Sequence, residues 1–133
     1  MSARPAARRL KLFFDGGCRP NPGAMEAAVV AGGETYFFPH LGLGTSEQAE
    51  WAALLKAIEV AEALGARDIL LLGDSSNVIG QANGALKPRG APLEEYRTRA
   101  ARFERVAVRH IGRKQNLAGI ALELARWGVT SGR

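Results

Sequence analysis

Phe13-Phe14-Asp15-Gly16-Gly17-Cys18-Arg19-Pro20-Asn21-Pro22-Gly23 sets an acid at the end of an apolar run and then opens into glycine, proline and asparagine. The chain carries three aspartates, and Asp74 stands in the same setting: Ile69-Leu70-Leu71-Leu72-Gly73 runs into it and Ser75-Ser76-Asn77 follows. In open sheets, ligands collect beyond the carboxyl ends of the strands. Two carboxylates at the ends of apolar strands therefore point to a metal site at one edge of a sheet. Taken singly, each acid reads more plainly as a strand-end turn residue that bonds its own backbone.

Working outward from this stretch, residues 9–15 and 26–31 read as strands. Gly32-Gly33 signals a tight turn into a third strand over 34–39. Ser46 is the expected N-cap of a helix over 47–64, with Glu47 and Glu50 suited to its first turn. Trp51, Leu54, Leu55, Ile58 and Ala61 recur at helical spacing, and Gly65 marks the stop. The apolar run 68–72 suits a central parallel strand. A short helix over 75–82, a Gly/Pro loop over 84–92, a basic helix from 93 to about 102, a strand over 103–110 and a last helix over 116–127 complete the pattern. This order predicts an α/β domain with a mixed sheet covered by helices.

The 133 residues suit one domain with one core. No apolar run reaches the roughly 18 residues that a membrane span needs, and no signal-peptide pattern precedes the first strand. With a single cysteine, Cys18, no internal disulfide is available. These features predict a cytoplasmic protein. Formal net charge is +5, and nine of the 18 basic residues lie between Lys87 and Lys114, offset by Glu94, Glu95 and Glu104. That asymmetry favours a polyanionic partner over a membrane, the blander reading being a solvated helix face. No obligate protein partner is implied.

Hard divalent cations take oxygen ligands, and two such ions can hold the attacking and leaving oxygens of a phosphoryl transfer. Several acids must then meet from separate elements. Asp15 and Asp74 supply two. Glu50 falls on the same helix stripe as Leu54 and Ile58, where a carboxylate is costly to bury unless paired or metal-bound.

Four motifs carry a family resemblance. Asp15-Gly16-Gly17-Cys18-Arg19-Pro20-Asn21-Pro22-Gly23 resembles the Asp-Gly-(Ser/Ala)-x-x-x-Asn-Pro-Gly opening of type 1 ribonucleases H. Thr45-Ser46-Glu47-Gln48-Ala49-Glu50-Trp51-Ala52-Ala53-Leu54 is similar to their Thr-Asn-Asn-x-x-Glu-x-x-Ala-Leu helix start. Asp74-Ser75 through Gln81 to Gly84, and His110 through Arg113 to Asn116, resemble their third and fourth motifs. The match covers residues 10–126. It implies a ribonuclease H-like fold: a five-stranded mixed sheet, three strands antiparallel and then two parallel, flanked by helices. It implies one domain over 1–133, with about residues 1–8 flexible.

The resemblance further implies Mg²⁺-dependent cleavage, with Mn²⁺ as an alternative, of the RNA strand of RNA/DNA hybrids. Asp15, Glu50 and Asp74 would be the metal ligands. His110 would help product or proton handling from a mobile loop. Gly16, Asn21, Ser46 and Gln81 would lie near the minor groove, and Arg113 and Asn116 would also contact substrate. Shape and the 2′-hydroxyl, rather than base identity, would be read.

The pattern breaks in the last helix, where the family carries a fourth acid four residues after its Asn. Here Asn116-Leu117-Ala118-Gly119-Ile120 puts Ile120 at that place, and a hydrocarbon side chain cannot ligate a metal. Nucleophile activation should suffer more than docking. Glu123, one turn on, or water or substrate phosphate, would have to complete the shell. Glu47 stands where the family often has Asn, either repelling phosphate or serving the helix dipole. The alternative to an active, weakened nuclease is a catalytically silent module that binds RNA/DNA hybrid or double-stranded RNA. An exonuclease or resolvase on the same scaffold fits the motif order less well.

Overall fold

The computed structural model describes residues 8–88, 90 and 92–126. Its strands are β1 (Leu10–Arg19), β2 (Gly23–Ala31), β3 (Glu34–Phe38), the two-residue β4 (Leu43–Gly44), β5 (Asp68–Gly73) and β6 (Arg105–His110). Its helices are α1 (Ser46–Ala63), α2 (Ser76–Ala82), α3 (Leu93–Ala100) and α4 (Leu117–Arg126), the last preceded by a 3-10 turn over Arg113–Gln115. The main sheet runs β3-β2-β1-β5-β6, antiparallel through its first three strands and parallel through its last two, with β4 added against β2. This is the expected ribonuclease H-like arrangement. Among the described residues no helix is long and apolar enough to cross a membrane. Trp127, expected at the end of the last helix, and residues 1–7, expected to be flexible, lie outside the described residues.

Strand alternation sorts the side chains to two faces. Leu12, Phe14, Val29 and Leu71 pack with α1, α2 and α3 in the main core, which includes Leu54, Ile58, Val78 and Tyr96. Ala28 and Val30 pack on the other face with Ala118 and Leu122 of α4, and Phe13 joins them. Trp51 is a core residue, 2% exposed, set edge-on to Tyr96 with ring centroids 6.1 Å apart.

Two expectations are corrected. First, β1 does not end at Asp15 but pairs with β2 through Gly16, Gly17, Cys18 and Arg19. The paired glycines serve close packing, not turning. A Cβ on Gly16 would lie 2.0 Å from the Ala49 carbonyl oxygen, so its absence lets the α1 backbone cross the strand. The turn glycines are instead Gly32 and Gly33, at φ 58° and 81°, a conformation costly for any residue with a Cβ.

Second, the N-cap of α1 is Thr45 rather than Ser46. Thr45 Oγ1 accepts from the Gln48 N–H at 3.1 Å, and Gln48 Oε1 accepts from the Thr45 N–H at 2.8 Å. This reciprocal capping box satisfies two donors that Ser46 alone would leave open.

Candidate active site

β1 and β5 run parallel, with Phe13 opposite Leu72 as their last paired residues. Two steps further along each strand stand Asp15 and Asp74, so the register itself brings these acids side by side where the strands part. Glu50 comes from the first turns of α1, and its Oε1 accepts the Gly16 N–H at 3.1 Å. One carboxylate oxygen from each of Asp15, Glu50 and Asp74 lies within 4.8 Å of the others. Among the described residues this is the single group of three or more potential ligands so gathered.

Asn116 braces the cluster. Fully buried, it donates from Nδ2 to Asp74 Oδ2 at 2.9 Å and to the Phe14 carbonyl at 3.0 Å, while its Oδ1 accepts the Ala118 N–H at 3.1 Å. One amide thus ties β1, the Asp74 corner and the start of α4. Asn116→Ala would strand a buried carbonyl and a buried N–H, so a loss of about 2–4 kcal/mol of unfolding free energy is expected in a denaturant titration. A loss below 0.5 kcal/mol would remove this bracing role.

The site resists its own charge. Burial, then the neighbouring Asp74 charge, push the Asp15 carboxyl up to about 7, against the opposing pull of Arg126 and Arg113. Burial, then Asp15, push Glu50 up to about 9 despite the Gly16 N–H, which favours its ionised form. Crowded acids that keep protons near neutral pH are a common mark of functional sites. They open into a cleft of about 680 Å³ lined also by Arg19, Arg113, Lys114, Ile120, Glu123 and Arg126.

The remaining sequence-selected residues divide. Gly16, Ser46 and Arg113 line this cleft. Asn21 acts from the β1–β2 turn, its Oδ1 accepting the Ser46 N–H at 3.0 Å. Gln81 stands apart, 1% exposed, its Oε1 accepting from Trp51 Nε1 at 3.0 Å and its Nε2 donating to Glu47 at 3.3 Å. Glu47 therefore serves both the first turn of α1 and a buried glutamine. His110 is the exposed last residue of β6, opposite Gly73, rather than a loop residue.

Ile120 lines the cleft and is 44% exposed. Glu123 does not join the acid cluster; it faces Arg19 at 3.9 Å and Arg126 at 3.8 Å. The basic helix does not line the cleft either. Its Arg99 is held by Glu59, Glu62 and Glu95, and the following Arg102 by Glu62. Sequence reading missed Arg126, whose Nε donates to Glu26 at 2.7 Å. Nothing local in sequence signals a partner 100 positions away.

Comparison with known proteins agrees with this geometry. The reverse transcriptase-like family model matches residues 14–128. Ribonuclease HI of Halobacterium salinarum (strain ATCC 700922 / JCM 11081 / NRC-1) is 34% identical over 128 residues, covering 86% of this chain, while the chain spans 62% of that protein's length. The crystal structure of RNase H1 from Halobacterium salinarum NRC-1 superposes with a TM-score of 0.77 at 32% identity, over 92% of this chain and 100% of that one. LC11-RNase H1, solved in complex with an RNA/DNA hybrid, gives 0.73 at 23% identity, over 89% of this chain and 99% of that one, a likeness of fold. The chain belongs to the reverse transcriptase-like family, with a ribonuclease H-like fold, and its homologues are type 1 ribonucleases H.

Proposed function

We propose that the chain is a metal-dependent endonuclease that hydrolyses the RNA strand of RNA/DNA hybrids. The observation that carries this reading is the meeting of Asp15, Glu50 and Asp74 within 4.8 Å, in a cleft rimmed by Arg19, Arg113, Lys114 and Arg126. The donor set is all hard oxygen, and burial and crowding make two of its acids, Asp15 and Glu50, harder to ionise in the absence of a cation. Mg²⁺, or Mn²⁺ in its place, fits such a set, with Asp15, Glu50 and Asp74 as its ligands. When bound, the ion supplies Lewis-acid polarisation of phosphoryl oxygens.

The chain's own residues prepare the ground. β1 holds Asp15 in a paired strand, Asn116 fixes Asp74, and the Gly16 N–H orients Glu50, so the acids are arranged before substrate arrives. Basic rim side chains draw in a polyanion. Gly16, Ser46 and Arg113 contact the substrate, Asn21 acts through the Ser46 N–H, and Gln81 and Asn116 position other groups. His110, exposed beside the Asp74 corner, serves product or proton handling. The hybrid complex of LC11-RNase H1 supports the substrate class by analogy of fold. Ile120, in the place of a fourth acid, leaves water activation to three carboxylates and weakens turnover. The same residue favours a second reading, a silent hybrid-binding module. The free Cys18 thiol suits a reducing, cytoplasmic setting.

Cleavage of a labelled RNA/DNA hybrid with Mg²⁺ or Mn²⁺, abolished by a chelator, is the expected result. Binding without cleavage in either metal selects the silent module. Neither binding nor cleavage at low salt rejects both readings.

The acid cluster also sets a pH dependence. Asp15 and Glu50 titrate near 4 when unfolded but at about 7 and about 9 when folded. Between those values the folded state holds more protons, so this contribution is complete below pH 4 and fades as pH rises to 9. The metal-free protein should therefore lose more stability from pH 5 to 9 than Asp15→Asn does. Mg²⁺, which binds the deprotonated set, should raise the melting midpoint more at pH 8.5 than at pH 5.5. Equal pH slopes for the two proteins would refute the crowding.

A further inference from the structure

Asp15, Gly17 and Arg19 share one face of β1, at alternate positions. Gly17 pairs across the sheet with Glu26, so its missing side chain leaves a slot beside that carboxylate. Arg126 of α4 fills it. A Cβ on Gly17 would lie 1.7 Å from Arg126 Nη2, and Arg126 Nε reaches Glu26 Oε2 at 2.7 Å. The guanidinium is thereby set at the cleft wall, its side chain only 20% exposed. Arg19 stands on the same wall, and the Glu123 carboxylate lies between the two cations, 3.9 Å from Arg19 Nη2 and 3.8 Å from Arg126 Nη1.

We propose that Arg126 and Arg19 form an anion subsite that positions a backbone phosphate of the bound nucleic acid, and that Glu123 competes with that phosphate for it. The contrast between the two pairings of Arg126 carries the inference. Its contact with Glu26 is short, direct and shielded, so it fixes the guanidinium. Its contact with Glu123, like that of Arg19, is long and made by a half-exposed carboxylate, and such pairs are weak. A backbone phosphodiester matches the carboxylate in charge and in free oxygens, and it arrives on a strand held at several other points, so it can displace so loose a pair from the same two forks. Arg126 acts here as a positioning residue, although its charge also favours the ionised form of Asp15. The proposal rests on the nuclease reading for the identity of the anion.

The test uses hybrid binding beside turnover. In steady-state cleavage at pH 8.5 and saturating metal, Arg126→Ala should raise KM about tenfold, equivalent to about 1.4 kcal/mol, with a smaller change in kcat. Glu123→Gln should lower KM. The slope of log Kd against log salt for the hybrid, measured without metal, should shrink by about one for Arg126→Ala. Gly17→Ala, whose methyl must evict the guanidinium, should reproduce the Arg126→Ala binding defect, and Arg126→Lys should restore part of it. Unchanged KM, Kd and salt slope in Arg126→Ala, with a lowered melting midpoint, would reduce Arg126 to a structural brace. Should Arg126→Ala not fold, an unaltered KM and Kd in Glu123→Gln overturns the competition. A wild type that binds hybrid without cutting it overturns the nuclease reading while leaving the Kd and salt arms to decide the subsite. A wild type that does not bind hybrid overturns both.

Discussion

Asp15→Asn should abolish detectable cleavage of an RNA/DNA hybrid while making the metal-free protein more stable. Asp15 meets Glu50 and Asp74 within 4.8 Å, where the Asp74 charge makes Asp15 harder to ionise and the Asp15 charge does the same to Glu50. Replacing its carboxylate by an amide of the same shape removes a hard ligand and a like charge together. The expected loss in kcat is at least about 10³-fold, since Lewis-acid assistance in phosphoryl transfer is worth several kcal/mol. The melting midpoint at pH 8 without metal should rise. These two directions separate a chemical defect from an unfolded protein, which would lose both. Retained cleavage in Asp15→Asn would end the nuclease reading of this cluster, and a lowered midpoint would show that Asp15 serves the fold instead.

Much of this architecture was legible from residue order. Apolar alternation and the Gly32-Gly33 turn marked the antiparallel strands, and the continuous run before Asp74 marked a central parallel one. Both aspartates stood out because the same setting, an acid between an apolar run and a turn-forming segment, occurs twice, and Glu50 because it interrupts an apolar helix stripe. What stayed hidden depends on distant neighbours. Gly16 and Gly17 look like turn glycines in sequence, yet one makes room for the Ala49 backbone and the other for Arg126. The basic stretch from Lys87 to Lys114 pointed to a polyanionic partner; its Arg113 and Lys114 line the cleft, whereas Arg99 and Arg102 are spent on Glu59, Glu62 and Glu95. Gln81 looked like a substrate ligand, whereas it hydrogen-bonds Trp51 and Glu47 inside the molecule. Local pattern reports backbone conformation well; it does not report which charge is already paired.

Ile120→Asp should raise the cleavage rate, by about tenfold or more where water activation limits turnover. The position is suited to the change. Ile120 is 44% exposed and lines the cleft, so removing it opens little core. It lies in the first turn of α4, where a carboxylate is favoured by the helix dipole. Its neighbour Gly119 packs close to Asp15, with a Cβ built there only 3.5 Å from Asp15 Oδ2, so the helix start is near enough for a new acid to act. The cost falls on the metal-free state, because a fourth like charge beside Asp15 makes the set harder to ionise. The melting midpoint should therefore fall without Mg²⁺ and recover with it. Ile120→Asn is the control, matching Asp in shape without its charge. Faster cleavage by the Asp variant alone would support the reading that a fourth carboxylate is wanting at this place. Equal rates in the two variants would show that any effect of Ile120 on cleavage comes from its bulk and that three acids suffice.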